Sequence, residues 1–156
     1  MNVKYINPFV EATQEVLKTF LQCEAKPEKP LIFNPEQDTY DRDISAIIGL
    51  AGEAMGLVII SFPKIVALKL VSRMLNKEIK IIDSDVVDIV GELVNIIAGN
   101  AKKGLEEYKI AISLPSIVEG QRHKLSGISG VPMINIPFTT DYGRIDLIVS
   151  LKNLIT

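Results

Sequence analysis

Residues 84–107 read SDVVDIVGELVNIIAGNAKKGLEE. Most of this run is apolar: Val86, Val87, Ile89, Val90, Leu93, Val94, Ile96, Ile97, Ala98, Ala101 and Leu105. Spread over so much of a helical circumference, they predict a helix buried on most sides, beginning at a Ser84 or Asp83 cap and running to about residue 107. Against that background Asp85, Asp88, Glu92, Asn95, Gly99, Lys102 and Glu106 recur at alternating steps of three and four. At about 100° per residue they fall on one line. A buried helix has to show some face to water, and Asp85 and Asp88 suit the positive end of the helix dipole. Asn95 fits that explanation less well, because asparagine is a mediocre helix former and no cap or turn calls for one here. Gly91 and Gly99 each cost about 1 kcal/mol relative to alanine in a helix interior, and small residues beside a polar stripe permit close approach.

Outward from this helix, the spacing predicts two more. One starts at Asn7-Pro8, with Asn7 as cap, and carries Phe9, Val10, Val16, Leu17, Phe20 and Leu21 inward. The other runs from Pro63 to about residue 76. Residues 31–34 read as short and extended, and strands are expected over 44–50 and 56–62, joined by a glycine-containing connection, and over 110–114, 132–139 and 144–151. Ile145, Leu147, Val149 and Leu151 would share one face of the last strand. Pro137 directs its strand to a sheet edge or a bulge. Strands thus come in hairpin groups between helices. The fold class is α+β: an antiparallel sheet with long helices packed on one face and pseudo-duplicated halves, each a helix followed by strand-like stretches.

The chain of 156 residues suits a single domain, 1–156. It is 47% apolar and 23% charged, which excludes a disordered chain, and its net charge of −2 with few aromatics argues against nucleic acid. The single cysteine, Cys23, excludes an internal disulfide and reads as a small apolar filler. The N-terminus lacks signal-peptide character and apolar runs fall short of a membrane span, so a cytoplasmic protein with no membrane partner is expected. His123, in a polar stretch without a Cys or His companion, reads as a solvated loop residue. Residues 126–130, SGISG, lack the lysine and the strand-to-helix context of a phosphate loop and read as a connection.

The run from Asp88 to Ala101, with an acidic residue, Glu92, two residues, Asn95 and the small-residue stretch 97–101, resembles the signature of the CheC, CheX and FliY phosphatases. The resemblance extends over most of the chain, including the hairpin at 52–56 and the segment 140–143. CheC-like members carry the motif twice. Here the first helix has Asn7, Glu11 and Gln14 at the equivalent spacing, so the acid and the asparagine are both replaced, which favours the CheX type with one functional site. Glu11 and Gln14 are then expected to be surface residues. The resemblance implies hydrolysis of the aspartyl phosphate of the response regulator CheY, with Glu92 and Asn95 as catalytic residues, Glu92 docking against the partner's lysine and Asp88 extending the docking edge. It implies no cofactor of its own, magnesium on the partner, phosphorylated CheY as partner and a homodimer whose sheets join. The alternative is a non-catalytic module that binds a response regulator or a flagellar switch component.

Overall fold

The computed structural model describes residues 3–22 and 24–153; Cys23 lies outside them. The described elements are three α-helices, α1 (Val3–Leu21), α2 (Lys64–Leu75) and α3 (Ser84–Lys103), a short 3-10 helix (Pro35–Gln37), and eight strands: β1 (Lys26–Pro27), β2 (Leu31–Ile32), β3 (Ile44–Gly52), β4 (Ala54–Phe62), β5 (Ile110–Ile112), β6 (Ser116–Glu119), β7 (Ile134–Thr140) and β8 (Gly143–Asn153). All pairings in the sheet are antiparallel, in the order β1-β7-β8-β4-β3-β5, with β2 also on β7 and β6 also on β3. The α+β class with helices on one face is therefore the observed one.

The two halves correspond. Each runs helix, two short strands, then a hairpin, and the second strands of the hairpins, β4 and β8, pair at the centre from Ala54↔Asn153 to Ser61↔Asp146. The short strands cross over: β1 and β2 lie on β7 of the second half, β5 and β6 on β3 of the first. Strand alternation sets the layers. Ile44, Ala46, Ile48 and Leu50 of β3, Val58, Ile60 and Phe62 of β4, and Ile145, Leu147, Val149 and Leu151 of β8 are buried in one core with all three helices. The face predicted for β8 is the face observed.

Several boundaries differ from the sequence-based expectation. α1 begins at Val3, so Asn7 is an exposed interior residue and not a cap, and Pro8 sits inside the helix. Buried Ile6 and Phe9 extend the packed face past the proline, and this outweighs one lost backbone bond. The Pro8 ring also lies against Gly104, where an added Cβ would come within 2.9 Å of it. α3 ends at Lys103 rather than near 107, and its C-cap is Gly104. Asp83, not Ser84, caps its start, accepting from Val86 N at 3.1 Å. β1 and β6 were not anticipated; their few residues carry too little alternation to read. Pro137 stays in register opposite Asp146, and its carbonyl accepts from Glu28 N at 2.7 Å. The nitrogen of the same residue therefore faces the gap between β1 and β2, where no ladder bond is lost.

The opposite face of the sheet has a smaller apolar cluster of Phe33, Ile59, Leu125, Met133 and Ile148, and beside it a buried polar network. Arg42 is wholly buried; it pairs with Asp38, donates from Nε to Ser61 Oγ at 3.0 Å and lies 5.4 Å and 5.2 Å from the Phe33 and Tyr40 ring centres. Asp146, also wholly buried, accepts from Arg144 Nε at 2.7 Å and from Asn135 Nδ2 at 3.0 Å. Burial, then the Asp146 carboxylate, push the Tyr40 hydroxyl far above its usual range, and that hydroxyl donates to Arg144 O at 2.7 Å. His123 is not a free loop residue: one ring nitrogen is 2.7 Å from Ser45 Oγ and the other 2.9 Å from Gly120 O. Arg42→Ala leaves Asp38 and Ser61 short of their partner and opens a void, so a loss of about 3–5 kcal/mol in urea denaturation is expected. Arg122→Ala, which breaks an ion pair that is mostly exposed on both sides, should change the same measurement by less than about 0.5 kcal/mol.

Candidate functional site

α3 packs on β3 and β4 and against α1 and α2. Val86, Val90, Gly91, Leu93, Val94, Ile97, Ala98 and Ala101 are buried. With that many positions committed to the core, the helix cannot rotate, and the direction of its outer line is set by packing. On that line Asp88 and Glu92 are exposed and Asn95 is half-buried. Asp85, one turn before Asp88, pairs with Lys77 of the α2–α3 connection at 3.2 Å. Gly99, one turn after Asn95, meets nothing within 4 Å of a notional Cβ. Lys102 is exposed at the end of the helix, and Glu106, which the spacing placed on the same line, lies beyond the helix end.

The Glu92 carboxylate and the Asn95 amide make no side-chain hydrogen bond or ion pair with any described residue. A neutral amide with a free donor and a free acceptor thus stands one turn from a free carboxylate, on the outer ridge of the helix. Two hollows of about 520 Å³ each, one lined by Asp43, Lys64, Ile82 and Glu119 and the other by Gly52, Lys102 and Tyr108, do not include the pair. A ridge of this kind is suited to a partner surface that supplies the concave half of a site.

The equivalent line of α1 is arranged differently. Glu11 is exposed, and Gln14 is half-buried with its Nε2 donating to Ala25 O at 3.4 Å. The longer glutamine side chain turns back onto its own chain, so its amide is partly engaged where that of Asn95 is free. Among the described residues no cluster of three or more His, Cys, Asp or Glu side chains is arranged to hold a metal ion, and no helix is long and apolar enough to cross a membrane.

One component beside the ridge was not read from the sequence. Strand β6 and the connection that leads into it come up against α3 at Gly91, where a notional Cβ would lie 3.5 Å from Ile117 Cδ1 and 3.7 Å from Pro115 Cγ. The glycine carries part of that signal, since a small residue in a helix marks a close approach, but only the fold says what approaches.

The chain matches the family Chemotaxis phosphatase CheX over residues 44–139. It is 26% identical to the CheY-P phosphatase CheX of Thermotoga maritima, over 98% of this chain and 99% of that protein. Among solved structures it superposes on a CheC-like superfamily protein of Shewanella sp. PV-4 with a TM-score of 0.89 and 33% identity, covering 97% of this chain and 99% of the other. A chain in the CheX–CheY–BeF3–Mg2+ complex of Borrelia burgdorferi matches with a TM-score of 0.79 and 28% identity, covering 95% and 97%. A helix that buries one face against an antiparallel sheet and presents a free Glu-x-x-Asn pair on the other thus sits in a chain that belongs to the CheX chemotaxis phosphatase family.

Proposed function

We propose that this protein hydrolyses the aspartyl phosphate of a CheY-type response regulator, with Asn95 and Glu92 as the residues that touch the substrate. The observation that carries this reading is the unengaged amide of Asn95 beside the unengaged carboxylate of Glu92 on an exposed ridge. An acyl phosphate is already activated, so the reaction needs a water held in line with the phosphorus and little more. The amide oxygen of Asn95 accepts from that water while its N–H donates, which fixes the lone pair toward phosphorus. Being neutral, the amide approaches the phosphoryl oxygens without repulsion, where an aspartate would be repelled. The water oxygen bonds to phosphorus, the bond from phosphorus to the aspartyl oxygen breaks, and the products are the free carboxylate and inorganic phosphate bearing the water's protons.

Glu92 serves register rather than proton transfer: it pairs with a lysine beside the partner's phosphoaspartate. Asp88 extends the acidic edge by one turn. Magnesium, which the Borrelia burgdorferi complex contains, belongs on the response regulator in this reading. A homodimer that joins sheet edge to sheet edge fits Leu31 and Ile32, which are 55% and 79% exposed on the short outer strand β2.

Asn95→Ala should keep the fold, since the side chain is half-exposed and unbonded, and should reduce dephosphorylation of phosphorylated CheY by at least about a hundredfold. An unchanged rate would remove the mechanism; retained binding with lost turnover would separate catalysis from simple capture. Glu92→Lys should weaken binding to activated CheY by about tenfold or more through repulsion of the partner's lysine, read by titration. Ile32→Lys should convert a dimer to a monomer in sedimentation equilibrium, and a wild-type protein already monomeric at micromolar concentration would dispose of the dimer.

A further inference from the structure

Leu114 is 87% exposed, more than any other large apolar side chain described. A solitary exposed leucine needs no explanation in itself; its mounting is what calls for one. Ser113, just before it, is fastened to β3: its N donates to Gly49 O at 2.9 Å, and its Oγ accepts from Gly49 N at 2.8 Å while donating to Leu114 O at 2.9 Å. Pro115, just after it, rests on α3 at Gly91, with its Cγ 3.7 Å from where a Cβ would be. Strands β5 and β6 hold the corner from both sides through their pairing with β3. An apolar side chain is thus held out from a backbone fixed at its neighbours on either side.

The position of that corner is informative. Gly91 is three residues after Asp88 and four before Asn95, so the three form one row along the helix. Pro115 therefore rests in the row between two residues of the candidate site, and Leu114 is the exposed residue immediately before it in the chain. A partner seated with its phosphoaspartate over Asn95 must also cover the ground beside that row.

We propose that Leu114 is an apolar docking contact for the phosphorylated response regulator, an inference that rests on the function proposed above. The occupant is a folded receiver protein and not a small phosphoester, because one ligand has to meet the carboxylate of Glu92, the amide of Asn95 and an apolar knob on a separate segment. Because the corner is ordered before binding, covering Leu114 costs little further conformational entropy, and the burial contributes to affinity. The contact is made equally in the bound substrate and the transition state, so it acts on KM and not on kcat.

The test compares wild type, Leu114→Ser, Leu114→Met and Asn95→Ala, with steady-state dephosphorylation of phosphorylated CheY and titration of beryllofluoride-activated CheY. Leu114→Ser should raise KM and the dissociation constant by about tenfold, the scale of losing one buried leucine, with kcat within about twofold of wild type. Leu114→Met should restore wild-type values. An unchanged KM in Leu114→Ser, with Asn95→Ala inactive, overturns the docking contact and leaves the phosphatase reading in place. Full activity in Asn95→Ala overturns both. A shift in sedimentation of Leu114→Ser assigns the side chain to a contact between copies and likewise overturns the proposal.

Discussion

Everything at the site depends on how α3 is seated. Its apolar positions are held between the sheet and two neighbouring helices, with Val90, Leu93, Val94 and Ile97 essentially free of water. Each such side chain contributes about 1.5–3 kcal/mol by burial. Rotating the helix enough to hide Asn95 would withdraw several of them at once. The core therefore does more than stabilise the fold; it aims the ridge. The same constraint explains why the residues facing outward can be polar, unpaired and still well placed: their orientation is inherited from the other side of the helix and needs no hydrogen bonds of its own.

The site that results is half a site. The ridge has a carboxylate and an amide, and the two hollows of about 520 Å³ are lined by other residues. In most enzymes the protein excludes water and positions both reacting groups. In the proposed reaction the partner's surface would supply the walls and the phosphoryl group. Such a division suits a labile substrate, because positioning one water is most of what remains to be done. The related line on α1 shows how easily the arrangement is lost. One added methylene lets the Gln14 amide reach the backbone of Ala25, and the free donor that Asn95 retains is engaged.

The far face of the sheet follows another logic. Arg42, Asp146, Asn135, Ser61 and Ser45 are buried among strands whose other faces are apolar. A network of this kind is demanding, since removal of any member strands the rest. It ties the segment before β3 and the long connection before β7 to the sheet, on the face away from α1, α2 and α3. The helix face is held by area, the other by matched hydrogen bonds and charge.

Much was legible in the chain itself. Alternation along β8 and the three-four rhythm along α3 are one-dimensional records of burial on one side, so the α+β class, the helical faces and the polar line with Glu92 and Asn95 on it could be read without coordinates. What depends on contacts distant in sequence could not. The entry of α1 past Pro8 rests on Gly104, about a hundred residues away. Arg42 reads as an ordinary surface arginine until Asp38, Ser61, Phe33 and Tyr40 surround it. Strands as short as β1 and β6 have no periodicity to detect and exist because a longer neighbour offers them a ladder. The sequence by itself determined which residues lie on one line of one helix, since that follows from helical pitch. Only the tertiary structure decided that the line faces outward with Glu92 and Asn95 free of partners, and that a fixed corner packs on the helix at Gly91, because those properties belong to the packing between segments and not to any segment alone.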